Sequence, residues 1–165
     1  MFLDNLYCSV RNEKGHPMTF PPLKSPLKFY AVVPTADWVE RMVEAGADTV
    51  QLRCKTLHGD ELKCEIARCV AACQGSRTQL FINDYWREAI EAGAYGVHLG
   101  QEDMDTADLA AIAAASLRLG LSTHSVAELD RALSVHPSYV ASGAIFPTTT
   151  KQMPTAPQGL SLIHI

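Results

Sequence analysis

No stretch of this sequence approaches the roughly 18 to 20 consecutive apolar residues that span a bilayer, so no membrane partner is expected. The first residues, MFLDNLYCSVRNEKGHP, interrupt their apolar positions with Asp4, Asn5, Arg11 and Glu13, and no signal-peptide core forms there. A cytoplasmic location is the resulting expectation. The cysteines, Cys8, Cys54, Cys64, Cys69 and Cys73, include no CxxC pair, which argues against a zinc ribbon, and nothing in their spacing suggests a disulfide framework. Cys69 and Cys73 lie four apart on an expected helix and could share one face, but small buried residues in a reducing compartment need no metal. A basic excess is also missing: 14 Lys and Arg stand against 18 Asp and Glu, a net charge of −4, so a general nucleic-acid binder is not expected. A small anion remains possible, since it needs only a few local cations. Aromatic residues make up 7% of the chain and charged residues 19%, but 47% is hydrophobic. Over 165 residues that composition is enough for one globular domain with a substantial core.

What is present is a rhythm. Residues 1–27 contain Pro17, Pro21, Pro22 and Pro26 and read as an extension that packs on or trails from the domain. From there β-branched and aromatic runs alternate with helical patterns. KFYAVVP precedes ADWVERMVEAG, with Thr35 as a cap and Gly46 as a stop. TVQLRCK precedes GDELKCEIARCVAACQGS, QLFIND precedes YWREAIEAG, and GVHLGQ precedes DTADLAAIAAAS. LRLGLSTH precedes SVAELDRALSV, where Ser125 and Glu128 make a capping-box pattern, and YVASGAIF is a sixth strand. Six strands and five intervening helices in strict alternation imply right-handed crossovers and a parallel sheet. An open doubly wound sheet and a closed eight-stranded barrel both fit that alternation. The first strand–helix turn, VVPTAD, lacks the GxGxxG of a dinucleotide fold. Similar phrases recur at the helix-to-strand joins, EAGADTV, EAGAYGV and RLGLSTH, which favours an α/β barrel built from repeated βα units.

The polar residues are placed where such a barrel would use them. In TVQLRCK, period two puts Gln51, Arg53 and Lys55 on one face and Val50, Leu52 and Cys54 on the other. Asn83 and Asp84 end the third strand, Gln101 and Asp103 follow the fourth, and Ser122 and His124 end the fifth. Thr148, Thr149, Thr150 and Lys151 follow the sixth. Every cluster falls at a carboxyl end, which in a parallel barrel is one common mouth. Arg53, Lys55 and Lys151 suit phosphate oxygens, and Asn83 and Ser122 are neutral donors. Asp84 and Asp103 are hard oxygen ligands suited to one Mg²⁺ bridging to a diphosphate, although each also precedes a helix it could cap. His98 alternates with Val97 and Leu99 and should face the interior, where a lone histidine is more often a satisfied core residue than a catalyst. PTTTKQ has too few glycines for a P-loop and reads as an adaptable contact loop.

TVQLRCK, LFINDYWREAI, YGVHLGQED, LGLSTHS and GAIFPTTTKQMPTAPQGL together, in order, resemble thiamine-phosphate synthase, from about Phe29 to Leu160. LFINDYWR with KQMPTAPQGL looks like the gammaproteobacterial form. The resemblance implies a TIM (β/α)8 barrel, of which this chain carries about six of eight βα units over residues 28–160. It implies a transferase that joins 4-amino-2-methyl-5-hydroxymethylpyrimidine diphosphate to 4-methyl-5-(2-phosphoethyl)thiazole, giving thiamine phosphate and diphosphate. Carried over motif by motif, the segment Gln51, Leu52, Arg53, Cys54 and Lys55 would bind the pyrimidine diphosphate with Asn83, Ser122 and Lys151. His98 would lie near the pyrimidine, and Thr148, Thr149 and Thr150 would contact the thiazole phosphate. Asp84 and Asp103 would hold Mg²⁺. Catalysis would be electrostatic, with Arg53, Lys55, Ser122 and Lys151 at the departing diphosphate. Cys54 stands where the family often has an acidic residue. The family also continues through two further strands after PQGL, whereas here residues 161–165 read SLIHI, so a shortened and weakly active chain is expected. A thiazole tautomerase-like barrel and a non-catalytic fragment are the rival readings.

Overall fold

The computed structural model describes residues 19–147 and Pro157. The expected loop of Thr148, Thr149, Thr150 and Lys151 and the segment 161–165 lie outside the described residues, as does most of the amino-terminal extension. The elements run β1 (Tyr30–Val33), α1 (Ala36–Glu44), β2 (Thr49–Leu52), α2 (Gly59–Cys73), β3 (Gln79–Asn83), α3 (Trp86–Glu91), β4 (Gly96–Leu99), α4 (Gln101–Thr106), α5 (Leu109–Ala114), β5 (Arg118–Thr123), α6 (Val126–Ser134) and β6 (Tyr139–Ser142). All six strands expected from the sequence are present, each shorter than the apolar run that announced it. Between β4 and β5 the single expected helix is two, because GQED opens its own short helix α4 instead of a loop.

The strands pair in chain order, β1-β2-β3-β4-β5-β6, and every pair is parallel. A doubly wound sheet reverses direction part-way, so unbroken sequential order selects the barrel type of winding. The described residues form a six-stranded half-barrel; a closed ring of eight units is not what they build. The arc is tightly curled. Tyr30 on β1 and Tyr139 on β6 bring their hydroxyls to 2.6 Å. Laid flat, strands about 4.8 Å apart would hold β1 and β6 roughly 24 Å from each other.

Period two then gives the sheet two different faces. Ala31, Val33, Val50, Leu52, Leu80, Ile82, Val97, Leu99, Leu119 and Leu121 are buried in one aliphatic core with Val39, Leu62, Ile66, Ile112 and Ala132 of the helices. The alternate positions point inside the arc, where aromatic and polar side chains sit among glycines, Val32 and Ala141. Four aromatic rings cluster there, those of Tyr30, Phe81, Tyr95 and Tyr139. Phe81 meets Tyr95 and Tyr139 edge-on, with ring centroids at 5.5 and 5.1 Å, and stacks on Tyr30 at 6.1 Å. Gly96 and Gly120 make room for them. A Cβ on Gly120 would stand 2.2 Å from the Tyr139 ring, and one on Gly96 would stand 2.5 Å from Phe81.

Helix termini depart in detail from the sequence reading. Thr35 sits at the N-cap of α1 but its side chain makes no cap bond; the Ala36 N–H is satisfied by Glu65 of α2 at 2.6 Å. At α6 the Ser125 hydroxyl accepts from the Glu128 N–H as expected, at 3.2 Å. Glu128 reaches one residue further back, to the His124 N–H at 2.7 Å.

The described part of the extension packs on the domain, across the amino-terminal ends of the strands. The Lys24 N–H donates to Gln79 on β3 at 3.1 Å and to the Tyr95 hydroxyl at 2.8 Å. Arg118 on β5 donates to the Pro22 carbonyl at 3.2 Å, and Ser138, just before β6, donates to that of Pro21 at 2.7 Å. One strap therefore spans from β3, across the residue that precedes β4, to β5 and the start of β6.

Candidate active site

At the carboxyl-terminal mouth of the half-barrel lies a cavity of about 740 Å³. Gln51, Arg53, Lys55, Asn83, Asp84, His98, Asp103, Ser122 and His124 all line it, although they come from β2, β3, β4 and β5 and the segments that follow them. Strand alternation brings Gln51, Arg53 and Lys55 to this side, as the sequence predicts. Leu52 and Cys54 need correcting. Their side chains are buried in the helix-facing core, 1% and 2% exposed, so they cannot reach a ligand in the mouth. Their place in the segment is explained by period two alone.

Charge is arranged in two halves. The Lys55 ammonium pairs with Asp84 at 2.6 Å, while Arg53 is exposed and has no ion-pair partner among the described residues. An unpaired guanidinium at a cavity wall retains all its donors for an incoming anion. Asp84 and Asp103 face each other, and Asp103 is pushed above the usual carboxylate range by burial, by the charge of Asp84 and by a hydrogen bond between them. The capping alternative separates the two aspartates. Asp103 does accept from the Gly100 N–H at the start of α4, at 3.3 Å. Asp84 caps nothing: its carboxylate goes to Lys55, and its backbone is left-handed at φ 66. Asp tolerates that conformation better than most residues, and it redirects the side chain into the mouth.

His98 faces the interior and is 8% exposed. Burial lowers its pKa to about 4, offset only in part by Asp84. The unfolded imidazole, near 6.5, thus takes up a proton that the folded one refuses. Stability falls as pH drops through the window from about 6.5 to 4, by roughly 3 kcal/mol in full. The expected result for His98→Gln is a flatter stability profile across that window, measured by denaturant unfolding. An unchanged slope would show that His98 takes its proton as easily folded as unfolded.

The ring nitrogens of His98 lie 2.7 Å from the Tyr139 hydroxyl and 2.8 Å from that of Ser122. Tyr139 in turn contacts Tyr30, which accepts from Gln51 Nε2 at 2.9 Å. Tyr30 and Tyr139 also line the cavity, and the sequence reading missed both. The available signal was alternation, since each opens a strand in phase with inward-facing positions. Gln101, by contrast, is structural: it donates to the Ser122 carbonyl at 2.7 Å and holds α4 on β5. The cysteines are equally quiet. Burial pushes the Cys69 thiol up to about 12 and that of Cys73 up to about 11, unlike thiolate metal ligands. No cluster of three or more metal-ligating side chains occurs among the described residues, and none of their helices is long and apolar enough to cross a membrane.

Cations and facing carboxylates thus gather at the carboxyl ends of sequentially wound parallel strands, the end at which α/β-barrel enzymes carry their active sites. Comparison with known proteins narrows this class. The thiamine monophosphate synthase family matches residues 29–164. Over 147 residues, 89% of this chain and 72% of the relative, the sequence is 95% identical to the thiamine-phosphate synthase of Neisseria meningitidis serogroup A. The enzyme of the same name from Serratia proteamaculans is 55% identical over 86% of this chain and 66% of its own length. Among solved structures, the thiamine phosphate pyrophosphorylase of Pyrococcus furiosus superposes with a TM-score of 0.66 at 28% identity, covering 74% of this chain and 62% of that one. The chain belongs to the thiamine monophosphate synthase family, whose members are transferases of thiamine biosynthesis.

Proposed function

We propose that this chain carries the pyrimidine-diphosphate half of a thiamine-phosphate synthase site. In the reaction, 4-amino-2-methyl-5-hydroxymethylpyrimidine diphosphate condenses with 4-methyl-5-(2-phosphoethyl)thiazole to give thiamine phosphate and diphosphate. The observation that carries this reading is the meeting of Arg53, Lys55, Asp84 and Asp103 in one cavity. A thiazole phosphate alone needs cations but no facing carboxylates.

The donor set fits Mg²⁺. Two carboxylates that repel each other are relieved by a divalent cation, and Mg²⁺ commonly takes one or two carboxylates and completes its shell with water and phosphate. When bound there it would neutralise charge developing on the diphosphate. Arg53 and Lys55 reach the same oxygens, and their attraction grows as the carbon–oxygen bond breaks, which lowers the barrier more than it tightens substrate binding. Asn83 and Ser122 orient the phosphates as neutral donors. His98, held neutral by burial, contributes shape and hydrogen bonding without competing for charge. The thiazole nitrogen is already nucleophilic, so no general base is required of these residues. Lys151 would add a third cation, with Thr148, Thr149 and Thr150 toward the thiazole phosphate. Cytoplasmic location belongs to the same reading.

Calorimetric titration of the 165-residue chain tests it. Pyrimidine diphosphate should bind only weakly without Mg²⁺, bind more tightly with it, and lose that affinity in Arg53→Ala. Binding of thiazole phosphate alone, with no response to Mg²⁺ or the pyrimidine, would favour the tautomerase-like reading.

A further inference from the structure

Five side chains form an unbroken hydrogen-bonded chain across the inside of the half-barrel, and both of its ends lie in the cavity. Gln51 Nε2 lies 2.9 Å from the Tyr30 hydroxyl, Tyr30 lies 2.6 Å from Tyr139, Tyr139 lies 2.7 Å from His98 Nδ1, and His98 Nε2 lies 2.8 Å from Ser122. Each interior member can donate one proton along the chain and accept one, so with a neutral imidazole only two self-consistent settings exist. In one, every donor points from Gln51 toward Ser122. In the other, every donor points back.

The Gln51 amide makes the choice. Its Nε2 is a donor only, so Tyr30 must accept with its oxygen and give its own proton to Tyr139. Tyr139 then donates to His98 Nδ1, leaving the proton on Nε2, which donates to Ser122. The Ser122 hydroxyl proton is left over and faces the cavity. We infer that Gln51, Tyr30 and Tyr139 are positioning residues that fix His98 as its Nε2–H tautomer and make Ser122 an obligatory donor to an anionic ligand. Gln51, by contrast, keeps both its Oε1 acceptor and its second Nε2–H for a ligand, so the obligatory polarity lies at Ser122 alone. The inference deepens the synthase reading and rests on it only for what the two ends face.

The experiment is ¹⁵N NMR of the 165-residue chain labelled at histidine nitrogens, with His98 assigned by its loss in His98→Gln. The chain as it stands should show a protonated Nε2 and a bare Nδ1. Gln51→Glu supplies an acceptor only, so at about pH 8, where a carboxylate is ionised, the dominant tautomer should invert to Nδ1–H. Tyr30→Phe cuts the link, and adding Gln51→Glu to it should then leave the tautomer unmoved. Gln51→Met, which neither donates nor accepts, should give both tautomers together and guards against a charged variant that folds poorly. A native Nδ1–H tautomer would overturn the inference. So would an unchanged tautomer in Gln51→Glu, a single tautomer in Gln51→Met, or inversion that survives Tyr30→Phe. No substrate enters these measurements, so failure here is distinguishable from failure of the synthase reading, which is decided by ligand binding.

Discussion

Asp103→Asn should make the chain more stable at neutral pH while lowering the turnover of the synthase by about 10²-fold or more. The two effects come from one cause. In the folded chain Asp103 is partly buried against Asp84, and its pKa is raised above the ordinary value. A carboxyl whose pKa is raised by folding binds its proton more readily folded than unfolded. Its contribution to stability therefore falls as pH rises through the folded pKa, and at neutral pH the ionised group is a net cost. The amide keeps the shape and removes the repulsion. It also removes one of two charged ligands from the proposed Mg²⁺ site, weakening diphosphate binding and the stabilisation of the leaving group. Thermal unfolding of the metal-free chain reads the first effect. Turnover, measured with the same substitution in the Neisseria meningitidis relative, reads the second. A variant that is destabilised, with its Mg²⁺ response intact, would return Asp103 to a capping role at α4. Asp84→Ala should lose the same Mg²⁺ response with no loss of a helix cap, since its carboxylate pairs with Lys55 and faces Asp103.

The second large effect is on packing. Gly120→Ala should cost about 3 kcal/mol, at the upper end of what overpacking usually costs, and lower the melting temperature by roughly 6 to 12 °C for a chain of this size. The added Cβ would overlap Tyr139 Cζ at 2.2 Å, and the ring has little freedom to move. It is packed edge-on against Phe81, lies 5.6 Å from the His98 ring and is tied through its hydroxyl to Tyr30. Tyr139→Ala alone should also destabilise by opening a cavity, but the two changes together should cost clearly less than their sum. Strict additivity in that double-mutant cycle would mean the ring yields freely and the glycine is not required.

The helix-facing side of the sheet was legible residue by residue in the sequence, whereas the inward-facing side was only partly so. Aliphatic residues at alternate positions of TVQLRCK and LRLGLSTH can be buried only on one side, so strand phase and the inward direction of Gln51, Arg53 and Lys55 follow from local chemistry. Tyr30, Phe81 and Tyr139 share that inward phase, but aromatic residues are ordinary members of strands, and nothing local distinguishes a ring in the helix-facing core from one inside an arc. Leu52 and Cys54 illustrate the opposite limit, where a motif implied contact with substrate and alternation correctly turned the side chains away. The break between α4 and α5 was hidden because GQED carries polar residues that suit a loop as well as a first helical turn.

By itself the sequence determined six parallel strands, their phase, the gathering of polar residues at their carboxyl ends and the family. Each of these depends on neighbours within a few positions, or on the order of motifs along the chain. Only the tertiary structure decided that the sheet winds in chain order and curls until β1 meets β6. It also set the left-handed turn that aims Asp84, the facing of Asp84 and Asp103, and the chain from Gln51 to Ser122. These depend on groups 15 to 109 residues apart, and the physical reason is that distance through space is fixed by strand register and sheet curvature, which no local pattern encodes.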